Sequence, residues 1–344
     1  MRHCNIPVFI PHLGCPNKCV FCNQRTISGV SEFNPDSVTD IIDEALLTVL
    51  PDDEVEIAFF GGSFTGIDFD LMEKLLKIAN GYIKRGRVKS IRCSTRPDYI
   101  DEPVLLTLKK YGVKVIELGF QSASDRVLSA SRRGHDFNTA RRAARMIVDH
   151  GFTLVGQMMI GLPESDVDAE LKTADFIIEC GASAARIYPT VVFRDTELCE
   201  MAENGSYVPL SLQEAVGRSA LVYRKFLLAG ISVIRVGLCA SDNLVSDKTY
   251  HSGPNHCALG ELVANEIYYS IIFEQAGRLE LTSSSILKIT VPKGSLSKAL
   301  GQKKRNKLLL IESLSVRDVR FYESDGLKEY QVLIDREEGE KKCI

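Results

Sequence analysis

The chain has 344 residues, of which 45% are hydrophobic and 25% charged, with a formal net charge of -3 at pH 7. This length accommodates one large α/β barrel plus a smaller appended unit, and the composition excludes global disorder. The near-neutral charge decides neither for nor against nucleic acid, because a local basic patch can hide inside a neutral total.

Taken in chain order, residues 1–15 do not form a signal peptide. The apolar stretch is broken by Pro7 and Pro11 and runs into cysteines rather than a small-residue cleavage site. No apolar run is long enough to span a bilayer, so the expectation is a cytoplasmic chain with no membrane partner. In that compartment ten cysteines are reduced thiols or metal ligands.

Strands are predicted at Asn5–Pro11, Glu54–Phe60, Val88–Ser94, Lys114–Phe120, Thr153–Ile160 and Ala184–Pro189, with helices between them at Pro35–Leu50, Asp70–Lys84, Glu102–Tyr111, Asn138–His150 and Asp166–Cys180. Asn34 before Pro35 is an N-cap and first-turn pair, and Gly112, Gly151 and Gly181 sit where helices should stop. Repeated strand–helix units predict a parallel sheet: an incomplete six-stranded barrel or an open doubly wound sheet. Beyond Thr190 the rhythm changes. Ser211–Ala229 and His256–Glu274 read as helices and Ile231–Val236 as a strand. A small α+β tail follows, with strands near Ile286–Val291, Lys307–Glu312 and Glu329–Ile334, and the charged run Arg336–Lys342 is expected to fray. The domain division this suggests is 1–240 and 241–344.

Directly after the first strand the chain reads His12-Leu-Gly-Cys15-Pro-Asn-Lys-Cys19-Val-Phe-Cys22. Thiolates are soft ligands suited to iron–sulfur clusters or zinc. A structural zinc site needs four ligands, and no second C-x2-C knuckle exists in the chain, which leaves His12 or a distant cysteine to complete one. Three cysteines can instead hold three irons of a 4Fe–4S cluster and leave the fourth open. With Phe21 as its aromatic, the C-x3-C-x-aromatic-C pattern resembles the signature of the radical S-adenosylmethionine (SAM) superfamily. The resemblance implies a 4Fe–4S cluster on Cys15, Cys19 and Cys22 that passes an electron to SAM and releases a 5′-deoxyadenosyl radical.

Chemistry in a (βα) barrel collects at the C-terminal ends of the strands. Here those ends read Gly61-Gly62-Ser63, Ser94-Thr95-Arg96-Pro97-Asp98, Glu117-Leu-Gly119-Phe-Gln121-Ser122, Gly161-Leu-Pro163 (with Gln157 within that strand) and Arg186-Ile-Tyr188-Pro-Thr190. Polar groups on successive strand tops favour the barrel. By motif position the resemblance implies that Gly61, Gly62, Ser63, Thr95, Gln121, Arg133 and Gln157 line the SAM pocket, with Ser63 where the family's GGE-like turn has an acid. Arg133 would pair with the SAM carboxylate, which its planar fork suits.

The order STRPD, ELGFQS, RRGH, GLP, RIYPT and Tyr207-Val-Pro209 resembles the radical SAM part of the Elongator catalytic-subunit family, in a short bacterial form expected to lack the acetyltransferase domain and the basic N-terminal extension. This implies an α/β fold, a partial (βα)6 TIM-like barrel with a small α+β C-terminal unit. It also implies a flavodoxin- or ferredoxin-like electron donor, with tRNA as the candidate substrate. The rivals are a coproporphyrinogen-oxidase-like enzyme acting on a small molecule and a cluster-containing RNA-binding module without turnover. Arg141, Arg142 and Arg145 are expected on a solvated helix face. The basic run at 303–307 is a candidate phosphate contact. Cys239, His251, His256 and Cys257 lie close in sequence without a recognisable ligand spacing, and Cys93, Cys180 and Cys199 are expected to be core thiols.

Overall fold

The computed structural model describes residues 2–10, 13–15, 19–23, 33–238 and 248–338. His12, Cys239 and the end of the charged tail lie outside them. Strand and helix alternate through the first half: β1 (His3–Ile10), α1 (Val38–Leu46), β2 (Glu54–Gly61), α2 (Phe69–Lys84), β3 (Ser90–Thr95), α3 (Glu102–Lys110), β4 (Val113–Gln121), α4 (Asp125–Ala130), α5 (Phe137–Asp149), β5 (Thr153–Ile160), α6 (Val167–Glu179) and β6 (Ala184–Pro189). There follow β7 (Val192–Phe193), α7 (Glu197–Glu203), α8 (Leu212–Leu228), β8 (Ser232–Val236), β9 (Tyr250–Ser252) and α9 (Leu259–Ala276). The chain then continues through β10 (Ser285–Pro292), α10 (Leu296–Leu300), α11 (Arg305–Leu314), β11 (Asp318–Ser324) and β12 (Leu333–Glu338).

Helix starts are set by side chains that accept the otherwise unpaired first-turn N–H groups. Asp68, Asp101, Asp136 and Asp166 cap α2, α3, α5 and α6 at 2.8–3.0 Å. Asn34 caps a 3-10 turn at Pro35–Ser37 that leads into α1.

The large sheet runs β1-β2-β3-β4-β5-β6-β8, with every pair parallel. Its seventh strand is the segment read from sequence as following the barrel; the long α8 acts as one more crossover helix. Alternate residues such as Ile57, Phe59, Ile91, Cys93, Ile116 and Leu118 are wholly buried. Their strand neighbours Glu56, Arg92 and Glu117 point to the opposite face. On that face the Arg186 guanidinium of β6 stands 5.7 Å from the centre of the Phe60 ring of β2. In a flat sheet four strand spacings would separate them by about 19 Å. The sheet therefore curls, and its concave face is the lumen of a partial barrel.

The lumen is held by charge. Glu56 accepts from Arg92 Nε at 2.9 Å, and Glu117 accepts from Arg92 Nη1 at 2.9 Å, Arg186 Nη2 at 2.9 Å and Gln157 Nε2 at 2.8 Å. His3 closes the row on Glu56 at 2.8 Å. These buried ions survive because each is paired and hydrogen-bonded.

Residues Met1–Ala215 and Lys225–Asn255 form one compact unit, and Val216–Arg224 with His256–Ile344 form a second. The second unit has a three-stranded sheet, β11-β10-β12, in which β10 is parallel to β11 and antiparallel to β12. Three tail expectations are corrected. Lys307–Glu312 lies in helix α11: Leu310 is buried while Leu308 is 62% exposed, whereas strand alternation would put both on one face. Asp318–Ser324 is a strand the sequence did not reveal, because as a sheet edge it is mostly polar. The last strand sits at Leu333–Glu338, four residues later than expected, and takes in part of the charged run, because Glu337 pairs with Lys288 of β10. Within the basic run Asn306 is a core residue, donating to the carbonyls of Asn265 (2.7 Å) and Ala299 (3.1 Å).

Candidate active site

β1 and β2 deliver their C-terminal ends side by side. Gly62 N–H donates to the Ile10 carbonyl at 2.9 Å and Ser63 N–H to the Leu13 carbonyl at 3.4 Å. The cysteine loop is thereby laid directly on the Gly61-Gly62-Ser63 turn. The approach is close enough to require glycine: a Cβ on Gly62 would stand 2.3 Å from the Leu13 carbonyl oxygen and 3.4 Å from Cys15 Sγ. Cys19 is buried, and Cys22 N–H closes a turn onto the Cys19 carbonyl at 3.0 Å. Phe21, the aromatic of the motif, anchors the loop against two apolar clusters, one with Val20, Val192 and Leu198 and the other with Val127 and Leu162.

Two guanidinium groups converge on the thiols. Arg133 donates to Cys19 Sγ at 3.3 Å and to the Gly119 carbonyl at 2.9 Å. Arg96 reaches Cys19 Sγ at 3.7 Å, donates to the Arg133 carbonyl, and is fixed by a two-pronged pair with Asp98 at 2.8 and 2.9 Å. Desolvation raises the Cys15 thiol, and it pushes Cys22 up to about 12, with the neighbouring sulfurs adding to the effect and the two arginines opposing it.

Most of the sequence-predicted pocket residues meet here. Gln121, at φ +64, leaves its Oε1 buried without a hydrogen-bond partner among the described residues, and its Nε2 lies within 2.9 Å of where a Cβ on Gly119 would be. Ser63 and Thr95 stand behind the glycine turn and bond each other at 2.8 Å, and Ser63 Oγ also accepts from Arg96 N–H at 3.2 Å. Gln157 is one strand over, level with Gly119, with its amide on Glu117 in the lumen. Arg132, by contrast, points to the surface and pairs with Glu197 at 2.7 Å. Arg96 was not singled out from sequence; the signal available was an arginine at a strand top with Asp98 two residues on.

The family model of the Radical SAM superfamily matches residues 9–177, and that of the Radical_SAM C-terminal domain matches residues 182–269. The chain belongs to the radical SAM superfamily. As a radical SAM enzyme it is similar to the tRNA uridine(34) acetyltransferase of Methanocaldococcus jannaschii, at 28% identity over 243 residues, covering 59% of this chain and 45% of the relative. It is likewise similar to human Elongator complex protein 3, at 28% identity over 189 residues, covering 48% of this chain and 35% of the relative. The chain spans about half the length of the archaeal relatives it matches, 45% and 46%. A solved structure of the archaeal Methanocaldococcus infernus Elp3, with residues 1–46 deleted, matches with a TM-score of 0.59 at 20% identity, covering 80% of this chain and 64% of that one. At that identity the likeness establishes the fold, the partial TIM barrel of the radical SAM enzymes.

His135, at the end of the Arg132–His135 turn, carries a testable charge. Its Nε2 is buried without a hydrogen-bond partner among the described residues, and burial, then Arg133, lowers its pKa from 6.5 to about 4. The unfolded chain therefore binds this proton at a pH where the folded chain does not, and stability is lost as pH falls from 6.5 toward 4. We expect the melting temperature of the metal-free protein to fall across that window, and to fall less in His135→Gln. Equal slopes in thermal melts of the two proteins would refute this assignment.

Proposed function

We propose that Cys15, Cys19 and Cys22 hold a 4Fe–4S cluster, that the pocket beside them binds SAM, and that the radical chemistry acts on tRNA. The observation that carries this reading is the meeting of three thiols with Arg96, Arg133 and a glycine turn at the strand tops of a partial barrel. Three soft donors suit iron–sulfur ligation and leave one iron open to SAM. When bound, that cluster supplies the electron that breaks the sulfonium C–S bond of SAM and starts hydrogen abstraction from an unreactive C–H bond.

The chain's own residues do the positioning. Arg133 and Arg96 set positive charge beside Cys19. Gly61 and Gly62 admit a ligand close to the backbone, with Ser63 and Thr95 bracing the turn from behind. Gln121 offers a buried acceptor, and Gln157 with the lumen ions forms a polar floor that limits bulk water. An external flavodoxin- or ferredoxin-like protein would supply the electron. Among the described residues no helix is long and apolar enough to cross a membrane, and we place the protein in the cytoplasm.

The tRNA assignment is supported by the names of the archaeal relatives. Their acetyl transfer is not carried over, because this chain spans under half of their length. Exposed Lys303, Lys304 and Arg305 offer phosphate contacts. Unfractionated tRNA added to the reconstituted, reduced protein is expected to raise SAM cleavage at least tenfold, an effect that weakens with salt. No change with tRNA, but stimulation by a porphyrinogen, would overturn the substrate assignment.

A further inference from the structure

A second group of metal-ligating side chains lies outside the pocket. Cys199 and Glu203 are four residues apart on α7 and share one of its faces. β9 pairs antiparallel with β7, just upstream of α7, and this pairing carries His251 to the end of the helix. Cys199 Sγ and Glu203 Oε1 are 3.7 Å apart, as are His251 Nε2 and Glu203 Oε1. The donor atoms of all three residues lie within 4.8 Å of one another.

The Cys199 thiol donates to Glu203 Oε1 across the first of these separations, an ordinary length for a sulfur donor. An imidazole–carboxylate pair at 3.7 Å is beyond a hydrogen bond. The two 3.7 Å separations are close to the edges of a tetrahedron around a metal: with Zn–S about 2.3 Å and Zn–N or Zn–O about 2.0–2.2 Å, donor atoms stand about 3.3–3.7 Å apart. His251 is already oriented for the task. Its Nδ1 bonds Ser252 Oγ at 2.7 Å, which turns Nε2 toward Cys199 and Glu203, as an outer-shell partner does for a ligating histidine. The thiol end is dry and the other end is wet: Cys199 is 6% exposed, while the Glu203 and His251 side chains are 58% and 23% exposed. One sulfur, one nitrogen and one oxygen donor select a borderline-soft ion over Mg2+ or Ca2+. A thiolate and a carboxylate together neutralise a divalent charge.

We propose that Cys199, Glu203 and His251 form a mononuclear Zn2+ site, with water in the fourth position, that ties α7 to β9. On binding, the Cys199 thiol gives its proton to the buffer as the Zn–S bond forms. The place matters to the molecule, because Cys199 packs with Val20 and Leu198, and Leu198 N–H donates to the Val20 carbonyl at 2.8 Å. The tie therefore stands behind the loop that carries Cys19 and Cys22. The site does not depend on what Cys15, Cys19 and Cys22 hold.

The test is zinc K-edge X-ray absorption on the full-length protein, reconstituted with iron and sulfide and then equilibrated with buffered Zn2+. The expected result is one zinc per chain with one sulfur at about 2.3 Å and three nitrogen or oxygen neighbours at about 2.0–2.2 Å. In chelator competition, His251→Gln and Cys199→Ala should each weaken zinc at least 100-fold. Zinc should also raise the melting temperature of the parent but not of His251→Gln. A shell of three sulfurs would place the zinc on Cys15, Cys19 and Cys22 and overturn the proposal. So would no retained zinc, or unchanged affinity in His251→Gln, whose partly exposed side chain can be replaced without opening the core.

Discussion

Glu117→Gln should lower the melting temperature by roughly 10 °C, the consequence of a loss of about 3–5 kcal/mol in a chain of this size. Glu117 is the centre of the lumen row, with no exposed surface. It pairs with Arg92 and Arg186, whose side chains are only 10% and 11% exposed. Glutamine keeps the shape and one acceptor oxygen but removes the charge, so two guanidinium groups are left in a low-dielectric lumen with one shared anion fewer. Arg92 retains Glu56 at 2.7 Å. Arg186 has no second carboxylate among its described pairings, so most of the penalty falls there. Thermal or urea unfolding with far-ultraviolet circular dichroism gives the answer. A loss under about 1 kcal/mol would mean that the lumen is wet enough to solvate the arginines.

Gly62→Ala should remove function while sparing the fold. The new methyl would meet the Leu13 carbonyl oxygen at 2.3 Å, a backbone atom that cannot swing aside, and would touch Cys15 Sγ at 3.4 Å. Relief requires the cysteine loop to lift from the β2 turn, which moves Cys15 relative to Cys19 and Cys22. We expect iron retained after anaerobic reconstitution to fall by at least half and SAM cleavage by at least tenfold, the latter equivalent to about 1.4 kcal/mol in the barrier. Gly81→Ala, within α2, is the control. A Cβ there has no neighbour within 4 Å, so the exchange should be neutral or slightly stabilising. Iron analysis of both variants beside the parent settles it, and a Gly62→Ala protein with full iron and full cleavage would contradict the packing argument.

Much of this architecture was legible because local chemistry marked it. The alternation of β-rich runs with helices gave six strands of the large sheet, and the cysteine spacing marked the loop that the structure sets on the glycine turn. What escaped depended on long-range pairing. Glu56, Arg92, Glu117 and Arg186 could be placed on one strand parity, but their partners lie 25 to 69 residues away, and only the sheet register joins them. β8 was seen as a strand but not as the seventh of the sheet, because a 17-residue helix, α8, stands before it. The run Leu308-Leu-Leu-Ile311 reads as β by composition alone, whereas burial of Asn306 and Leu310, four apart, is a helical pattern. His251 was noticed beside His256 and Cys257, its neighbours in sequence. The structure sets it instead beside Cys199 and Glu203, about fifty residues upstream, a separation that no ligand-spacing rule covers.

The most direct measurement is 5′-deoxyadenosine formation by the anaerobically purified protein, reconstituted with iron and sulfide, reduced, and supplied with SAM and tRNA. The account predicts 5′-deoxyadenosine from the parent chain and none from a variant in which Cys15, Cys19 and Cys22 are alanine. A parent chain with a fully loaded, reducible cluster that yields none would contradict it and leave an iron–sulfur protein without radical chemistry.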